Sequence, residues 1–363
     1  MKLKAIIAAG GKGTRLRPLT FTANKHLLPI ANRPLLLYPL EHIRSLGIKE
    51  IGVVVNDGRE AIENLLGDGS QWGVQITYIH QPEPLGVGHV VKVSEKFLGK
   101  SPFVYILGDN IFTEGIKDAY DRFIKDKPDA LLTIIEHEEN FRLGVPFFED
   151  GKLAKVVEKP KKPPNKYGVP GLYFFSHKVF ESFSGKDPIK PSSRGEYEIS
   201  DLYNYMISHG YRVEIVEIKG QWLDPGKFDD SLEANRLMLE LHCTNEVKGK
   251  VDKDSKLIGR VEIGKGSEVT NSQIVGPVTI GENAHIHESY IGPYTSIADR
   301  CKLSNSAIEY SIVMEGADII DTPNRIEASM IGKDATVHGT RSANPAYKLT
   351  VSDMSKIELP FTP

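Results

Sequence analysis

Cysteine is nearly absent: Cys243 and Cys301 are the only two in 363 residues, and they stand far apart. That excludes a disulfide framework and any C-x-x-C metal spacing, and it makes a reducing cytoplasm the expected compartment. Long apolar runs are missing as well. Leu35-Leu36-Leu37 is typical of what there is, against the roughly 20 residues that a membrane-spanning helix needs. The N-terminus has no charged-then-apolar leader with a cleavage site, so no export signal is expected. Neither sign of charge dominates. With 45 Lys and Arg against 48 Asp and Glu the net charge is -3, so neither nucleic acid nor an anionic membrane is an expected partner. Any positive potential must be local, which suits a small anionic substrate. The remaining composition, 40% hydrophobic and 26% charged, is that of a globular protein long enough for two domains.

Up to about residue 240, short apolar stretches alternate with helical periodicities. Strands are expected at 5–9, 51–55, 74–79, 103–107, 130–135 and 153–157, and helices at 59–66, 88–98, 116–125 and 229–241. A further helix carries Leu36, Leu37, Leu40 and Ile43 at helical spacing and stops at Gly47. This order implies an α/β fold with a doubly wound, mainly parallel sheet, whose ligands bind beyond the carboxyl ends of the strands.

Near residue 250 the pattern changes. Single aliphatics recur about every sixth position: Ile263, Val269, Val275; Ile280, Ile286; Ile291, Ile297, Leu303. Pairs such as Ile263-Gly264, Ile280-Gly281 and Ile291-Gly292 punctuate the run. A six-residue repeat of this kind predicts a parallel β-helix, with a loosely patterned β-sandwich as the alternative. The pattern weakens from about Glu309 to Arg325. The expected domains are 1–241, 242–340 and a tail at 341–363.

The stretch with the most chemistry is Ala9-Gly10-Gly11-Lys12-Gly13-Thr14-Arg15-Leu16-Arg17-Pro18, directly after the first strand. Glycines let backbone N–H groups approach a ligand and cradle phosphate oxygens; Thr14 adds a hydroxyl and Arg15 a planar cation. The pattern is neither G-x-x-x-x-G-K-[ST] nor G-x-G-x-x-G, because Gly13 follows Lys12 and Leu16 takes the third glycine's place. A glycine cluster alone is equally a structural strand-to-helix turn. The longer string GGKGTRLRPLT, with Asn24-Lys25-His26-Leu27-Leu28-Pro29, resembles the signature of the sugar-phosphate nucleotidyltransferases, most closely the glucose-1-phosphate thymidylyltransferases. The hexad region resembles the added domain of their long form. The resemblance implies a Rossmann-like nucleotidyltransferase fold followed by a left-handed parallel β-helix.

Further motifs carry the resemblance to about residue 240. Leu107-Gly108-Asp109-Asn110 and Trp222-Leu223-Asp224-Pro225-Gly226 each place a carboxylate after a strand, and in the family these two aspartates bind the catalytic Mg²⁺. Pro225 replaces the usual Thr or Ser. Asp109-Asn110 alone reads rather as a turn that caps the next segment. Glu158-Lys159-Pro160 corresponds to the family's sugar-phosphate site, as do Gly144, Val169 and Arg194, although Pro146 and Pro170 depart from the pattern. For Glu196 and Glu198 a helix start is as good a reading. Gln81 and Gly86 match the positions that read the nucleobase, and an amide that both donates and accepts suits a pyrimidine edge. The resemblance assigns nucleotide contacts to Gly10, Gly11, Gly13, Thr14, Arg15, His26, Gln81 and Gly86, and catalysis to Arg15, Lys25, Asp109 and Asp224. His26 stands where these enzymes usually have glutamine. His285 and His287, adjacent in the repeat region, read as solvated side chains.

The implied reaction joins a nucleoside triphosphate and a sugar 1-phosphate, dTTP and glucose 1-phosphate by the nearest resemblance, into a nucleotide sugar and pyrophosphate. Use of UTP, an acetyltransferase activity in the β-helix, and a non-catalytic regulatory subunit are the alternatives. Flat β-helix faces make a homo-oligomer the expected assembly.

Overall fold

The computed structural model describes residues 2–56, 58–339 and 348–359. They form two compact units, the first from the chain up to residue 12 with 36–223, the second from 13–35 with the chain from 224 onward. Among the described residues no helix is long and apolar enough to cross a membrane.

The first unit is built on an eight-stranded sheet. Its centre is Lys4–Ala8, flanked by Phe103–Leu107 on one side and Glu50–Val55 on the other, with Gln75–His80 beyond; all these pairs are parallel. Ala5, Ile6 and Ile7 are fully buried. Such two-sided burial explains why the strand reads as an unbroken apolar run. Ala5 and Ile7 pack on one face with Leu37, Leu40, Ile43 and Ile62, whereas Ile6 packs on the other with Val90, Leu98 and Leu202. The sheet is therefore wound on both sides, as expected. Helix Leu37–Ser45 stops where Gly47, at φ +75°, donates back to the Arg44 carbonyl at 2.9 Å. The helix expected at 88–98 is two pieces, Val87–Val93 and Glu95–Leu98, with Ser94 Oγ bonded to the Val90 carbonyl between them.

Among the strands not foreseen, Leu172–Phe175 matters most for the site. It enters antiparallel between Phe103–Leu107 and Ala130–Glu136. Its apolar sequence marks a strand, but its direction depends on pairing partners far away in the chain. The insertion brings Gly171 beside the end of Phe103–Leu107, where Leu107 N donates to the Gly171 carbonyl at 2.9 Å.

The second unit is a left-handed parallel β-helix with three sheets of six, six and five strands, preceded by helix Phe228–His242. Its central coils advance by 17 residues, as in the ladder in which the amides of Ser289 and Ser306 donate to Ser272 Oγ and Ser289 Oγ, and those toward either end by 16 or 18. Stacked aliphatics fill the core: Ile263, Ile280, Ile297 and Val313; Val269, Ile286, Leu303 and Ile319; Ile274, Ile291 and Ile308. A strict hexad is thus corrected at one position, since Ile274 is buried where Val275 was expected and each central coil is one residue short of three hexads. The cause lies at the corner. Asn271, Glu288 and Asn305 take left-handed φ of 45–46°, and the serine after each donates its hydroxyl to the carbonyl two residues back. Nor does the repeat lapse at 309–325, where Ile312–Val313 and Asp318–Ile320 continue it.

Residues 13–35 pack in this unit. Asn235 of helix Phe228–His242 is fully buried, and its Oδ1 accepts from Ala31 N and Ser296 Oγ while its Nδ2 donates to the Tyr294 carbonyl. Asn32 Nδ2 reaches the Ile297 carbonyl at 2.6 Å. Of the expected tail, 348–359 carry no helix or strand, and 341–347 and 360–363 lie outside the described residues.

Candidate functional site

In the first unit, Asp109 follows the buried strand Phe103–Leu107, where the β-sheet rule puts ligand groups. Its orientation depends on Asn110, only 1% exposed. Asn110 Nδ2 donates to Asp109 Oδ1 at 3.0 Å, and its Oδ1 accepts from Gly171 N at 3.1 Å and from Trp222 Nε1 at 2.8 Å. Gly171 must be glycine, since a Cβ there would meet Asn110 Oδ1 at 2.1 Å. Asn110 thus ties together three segments spread over more than a hundred residues. Sequence reasoning quoted it beside Asp109 and missed this role.

Gly10 and Gly11 close the first strand, and the Gly10 carbonyl accepts from Asn56 Nδ2 at 2.6 Å. Gln81 is buried just beyond Gln75–His80, with Nε2 3.1 Å from His89 Nδ1 and 3.5 Å from the Gly86 carbonyl. Gly86 has φ +94°, and a Cβ on it would strike the Tyr197 carbonyl at 2.7 Å. Two backbone bonds hold this turn: Gly88 N donates to the Tyr197 carbonyl and Tyr197 N to the Leu85 carbonyl. His89, which the sequence did not single out, stacks on Tyr197.

The five sugar-phosphate candidates converge. Gly144 bridges to Val169, and Val169 N donates to the Gly144 carbonyl at 2.8 Å. A Cβ on Gly144 would lie 3.4 Å from Glu158 Oε2. Lys159 takes a left-handed φ of +47°, its amide bonded to the Leu143 carbonyl and its Nζ 3.6 Å from Glu158 Oε1. Arg194 also lies 3.6 Å from Glu158 Oε1 and clamps the buried Glu198 at 2.7 Å. Glu198 precedes helix Ile199–Ser208 and accepts from Ser192 Oγ as well, so the helix-start reading describes it. Burial pushes the Glu158 carboxyl above its ordinary range; Lys159 opposes this, Glu198 adds to it and Arg194 opposes it.

In the second unit, Gly13 has φ +60° and opens a single turn, Thr14–Leu16. Its missing side chain leaves room for Lys25, whose Cβ would lie 2.9 Å from a Gly13 Cβ. Lys25 is nearly buried, with Nζ 3.5 Å from Asp224 Oδ1, and an Arg15 guanidinium nitrogen is 3.9 Å from Asp224 Oδ2. Gly226 again makes space, since a Cβ there would meet that guanidinium at 2.8 Å. Two cations from one loop therefore converge on one carboxylate after the strand Trp222–Leu223. His26 is buried, its Nδ1 2.9 Å from Asn24 Oδ1.

Among the described residues no group of three or more His, Cys, Asp and Glu stands close enough to hold a metal ion on its own. His285 and His287 are exposed, and His287 Nδ1 lies 2.8 Å from Thr270 Oγ1.

A family model for nucleotidyl transferases matches residues 4–240. The chain is 41% identical over 360 residues to the glucose-1-phosphate thymidylyltransferase of Streptomyces griseus, covering 98% of this chain and 99% of that one. Over 362 residues it is 41% identical to the low-salt glycan biosynthesis nucleotidyltransferase Agl11 of Haloferax volcanii, covering 98% and 100%. A solved structure of a UDP-glucose pyrophosphorylase complexed with UDP-glucose superposes at TM-score 0.59 and 25% identity, covering 67% of this chain and 100% of that one. These full-length matches make the protein an enzyme of the nucleotidyl transferase family, in the long form that carries the β-helix.

Proposed function

We propose that the enzyme makes dTDP-glucose and pyrophosphate from dTTP and glucose 1-phosphate. The observation that carries this reading is the convergence of Gly144, Glu158, Lys159, Val169 and Arg194, which gives a sugar phosphate a carboxylate for its hydroxyls and two cations for its charge. A phosphate oxygen of the sugar attacks the nucleotide α-phosphorus. The new P–O bond forms in line with the bond to the β-phosphate, which breaks and leaves its electron pair on pyrophosphate. No protein nucleophile is needed, because the attacking phosphate is already anionic. The protein's work is to position the two phosphates and neutralise their charge. Gly10, Gly11, Gly13 and Thr14 cradle the triphosphate, Arg15 and Lys25 take up the charge of the departing pyrophosphate, and Gln81 with Gly86 reads the base beside His26.

Asp109 and Asp224 would hold Mg²⁺. Their oxygens suit a hard cation that keeps most of its ligands as water and substrate phosphate, and Asp109 is already oriented by Asn110. Bound there, the ion would lower the charge on the nucleotide phosphates. Two buried free thiols, with that of Cys301 pushed up to about 11 by burial, suit a reducing cytoplasm, and we take the enzyme to act there as a homo-oligomer.

UTP is the second donor to consider, since the UDP-glucose pyrophosphorylase structure matches 67% of the chain. Pyrophosphate release is measured with dTTP, UTP, CTP and ATP against glucose 1-phosphate and glucosamine 1-phosphate, with and without Mg²⁺. The highest kcat/KM is expected for dTTP with glucose 1-phosphate in the presence of Mg²⁺, and a preference for UTP overturns the donor assignment. Asp109→Asn and Arg15→Ala should fold normally and each lose about a hundredfold or more in kcat. Near-normal rates in both remove the centre.

A further inference from the structure

The two ends of the Gln81 amide face different surroundings. Nε2 lies 3.5 Å from the Gly86 carbonyl oxygen, which can only accept, so this end of the amide is the donor. The same nitrogen is 3.1 Å from His89 Nδ1. For that contact to be a hydrogen bond Nδ1 must be bare, and the ring proton then sits on His89 Nε2. Gln81 Oε1 points the other way, 3.4 Å from where a Cβ on Gly10 would stand.

We propose that His89 is a positioning residue, locking the Gln81 amide with its carbonyl oxygen toward Gly10, and that this locked acceptor selects a base with an imide N–H, thymine or uracil, against cytosine. The proposal rests on the base-reading role given to Gln81 above. An unrestrained glutamine turns its amide over at little cost and offers either a donor or an acceptor. A restrained one rejects the base whose ring nitrogen is a lone pair, because two acceptors then face each other in a buried site.

The groups facing His89 keep it in the accepting form. Burial and the charge of Lys92 hold it below the usual 6.5, against the carbonyl and charge of Glu83. Tyr197 covers one face of the ring, with Lys92 Nζ 4.9 Å from the tyrosine centroid. In acid, protonation turns Nδ1 into a donor, and the Gln81 amide must reverse.

His89→Phe keeps a flat ring against Tyr197 and removes the acceptor. We expect kcat with dTTP to stay within about twofold, KM for dTTP to rise several-fold, and the dTTP-to-CTP ratio of kcat/KM to fall about tenfold or more. An unchanged ratio overturns the proposal. In the wild type the ratio should decline as pH falls below 6.5, whereas in the variant it stays level. A level wild-type ratio overturns the proposal even if the variant does not fold. Gln81→Ala separates the two ideas. If it leaves the ratio intact, the base-reading role itself fails; if it collapses the ratio while His89→Phe does not, only the part given to His89 fails.

Discussion

The two units hold their residues in place by opposite means. In the β-helix the coils repeat one another, and the Ser272 and Ser289 hydroxyls at one corner each make the same bond to an amide 17 residues on. In the α/β unit the positions that matter are unique. Asn110 bonds to Asp109, Gly171 and Trp222, and no other residue repeats that arrangement for it. Repetition spreads stability over many equivalent contacts. A catalytic centre concentrates geometry in a few that have no substitute.

The sharpest way to break this contrast is at Asn110. Asn110→Ala leaves the Gly171 and Trp222 N–H groups without their acceptor, a cost of about 1–3 kcal/mol for each buried group. It also removes the Asn110 bond from the Asp109 carboxylate, and loss of a side chain that orients a metal-binding group costs about ten- to a hundredfold. We expect kcat to fall by that factor and Tm to drop. Asn110→Asp retains an acceptor for both N–H groups but faces Asp109 with a like charge, so Tm should recover more than kcat. Recovery of kcat in step with Tm would show that Asn110 is structural only.

The β-helix should respond in the other way. Ile291 is fully buried between Ile274 and Ile308, so Ile291→Ala should cost about 2–5 kcal/mol of stability and leave kcat at 25 °C unchanged. Val275 is half-buried, and Val275→Ala should cost less than about 1 kcal/mol. Equal losses at the two positions, read by thermal unfolding, would restore the strict hexad.

That pair of variants also marks how far the sequence could be read. Alternation of strand and helix in the first 240 residues was legible because each element carries its own periodicity, and the helix Arg59–Leu66 and the strand Phe103–Leu107 fall on their expected bounds. The repeat was legible as aliphatics near every sixth position. The short side of the central coils was not, because it arises at a left-handed corner with residues as different as Asn271 and Glu288. The direction of Leu172–Phe175 and the packing of 13–35 in the second unit depend on distant partners, and no local pattern signals either. The candidate site divides in the same way. Glu158, Lys159, Asp109 and Asp224 stood in motifs, whereas Asn110, His89 and Tyr197 act through contacts that only folding creates.

The smallest expected effect separates the units by acid. Glu315 in the β-helix is held below its ordinary value by hydrogen bonds from Arg300 and Lys333. Its contribution to stability is present above 4.5 and is lost as pH falls through the lowered value. Glu158 has the opposite sign. Burial raises its folded-state value above 4.5, so the native state takes up the proton first, and stability declines as pH rises from 4.5 through the raised value before levelling off. Glu158→Gln mimics the protonated form at every pH. The Tm of this variant minus that of the wild type should therefore grow over that window and then hold constant, whereas Glu315→Gln should show its deficit above 4.5 and lose it in acid. Because Glu158 keeps contact with water and two cations, the difference should be small. A Tm difference for Glu158→Gln that shrinks as pH rises would mean that Lys159 and Arg194 outweigh burial, and the carboxylate would then belong with the paired acids of the β-helix.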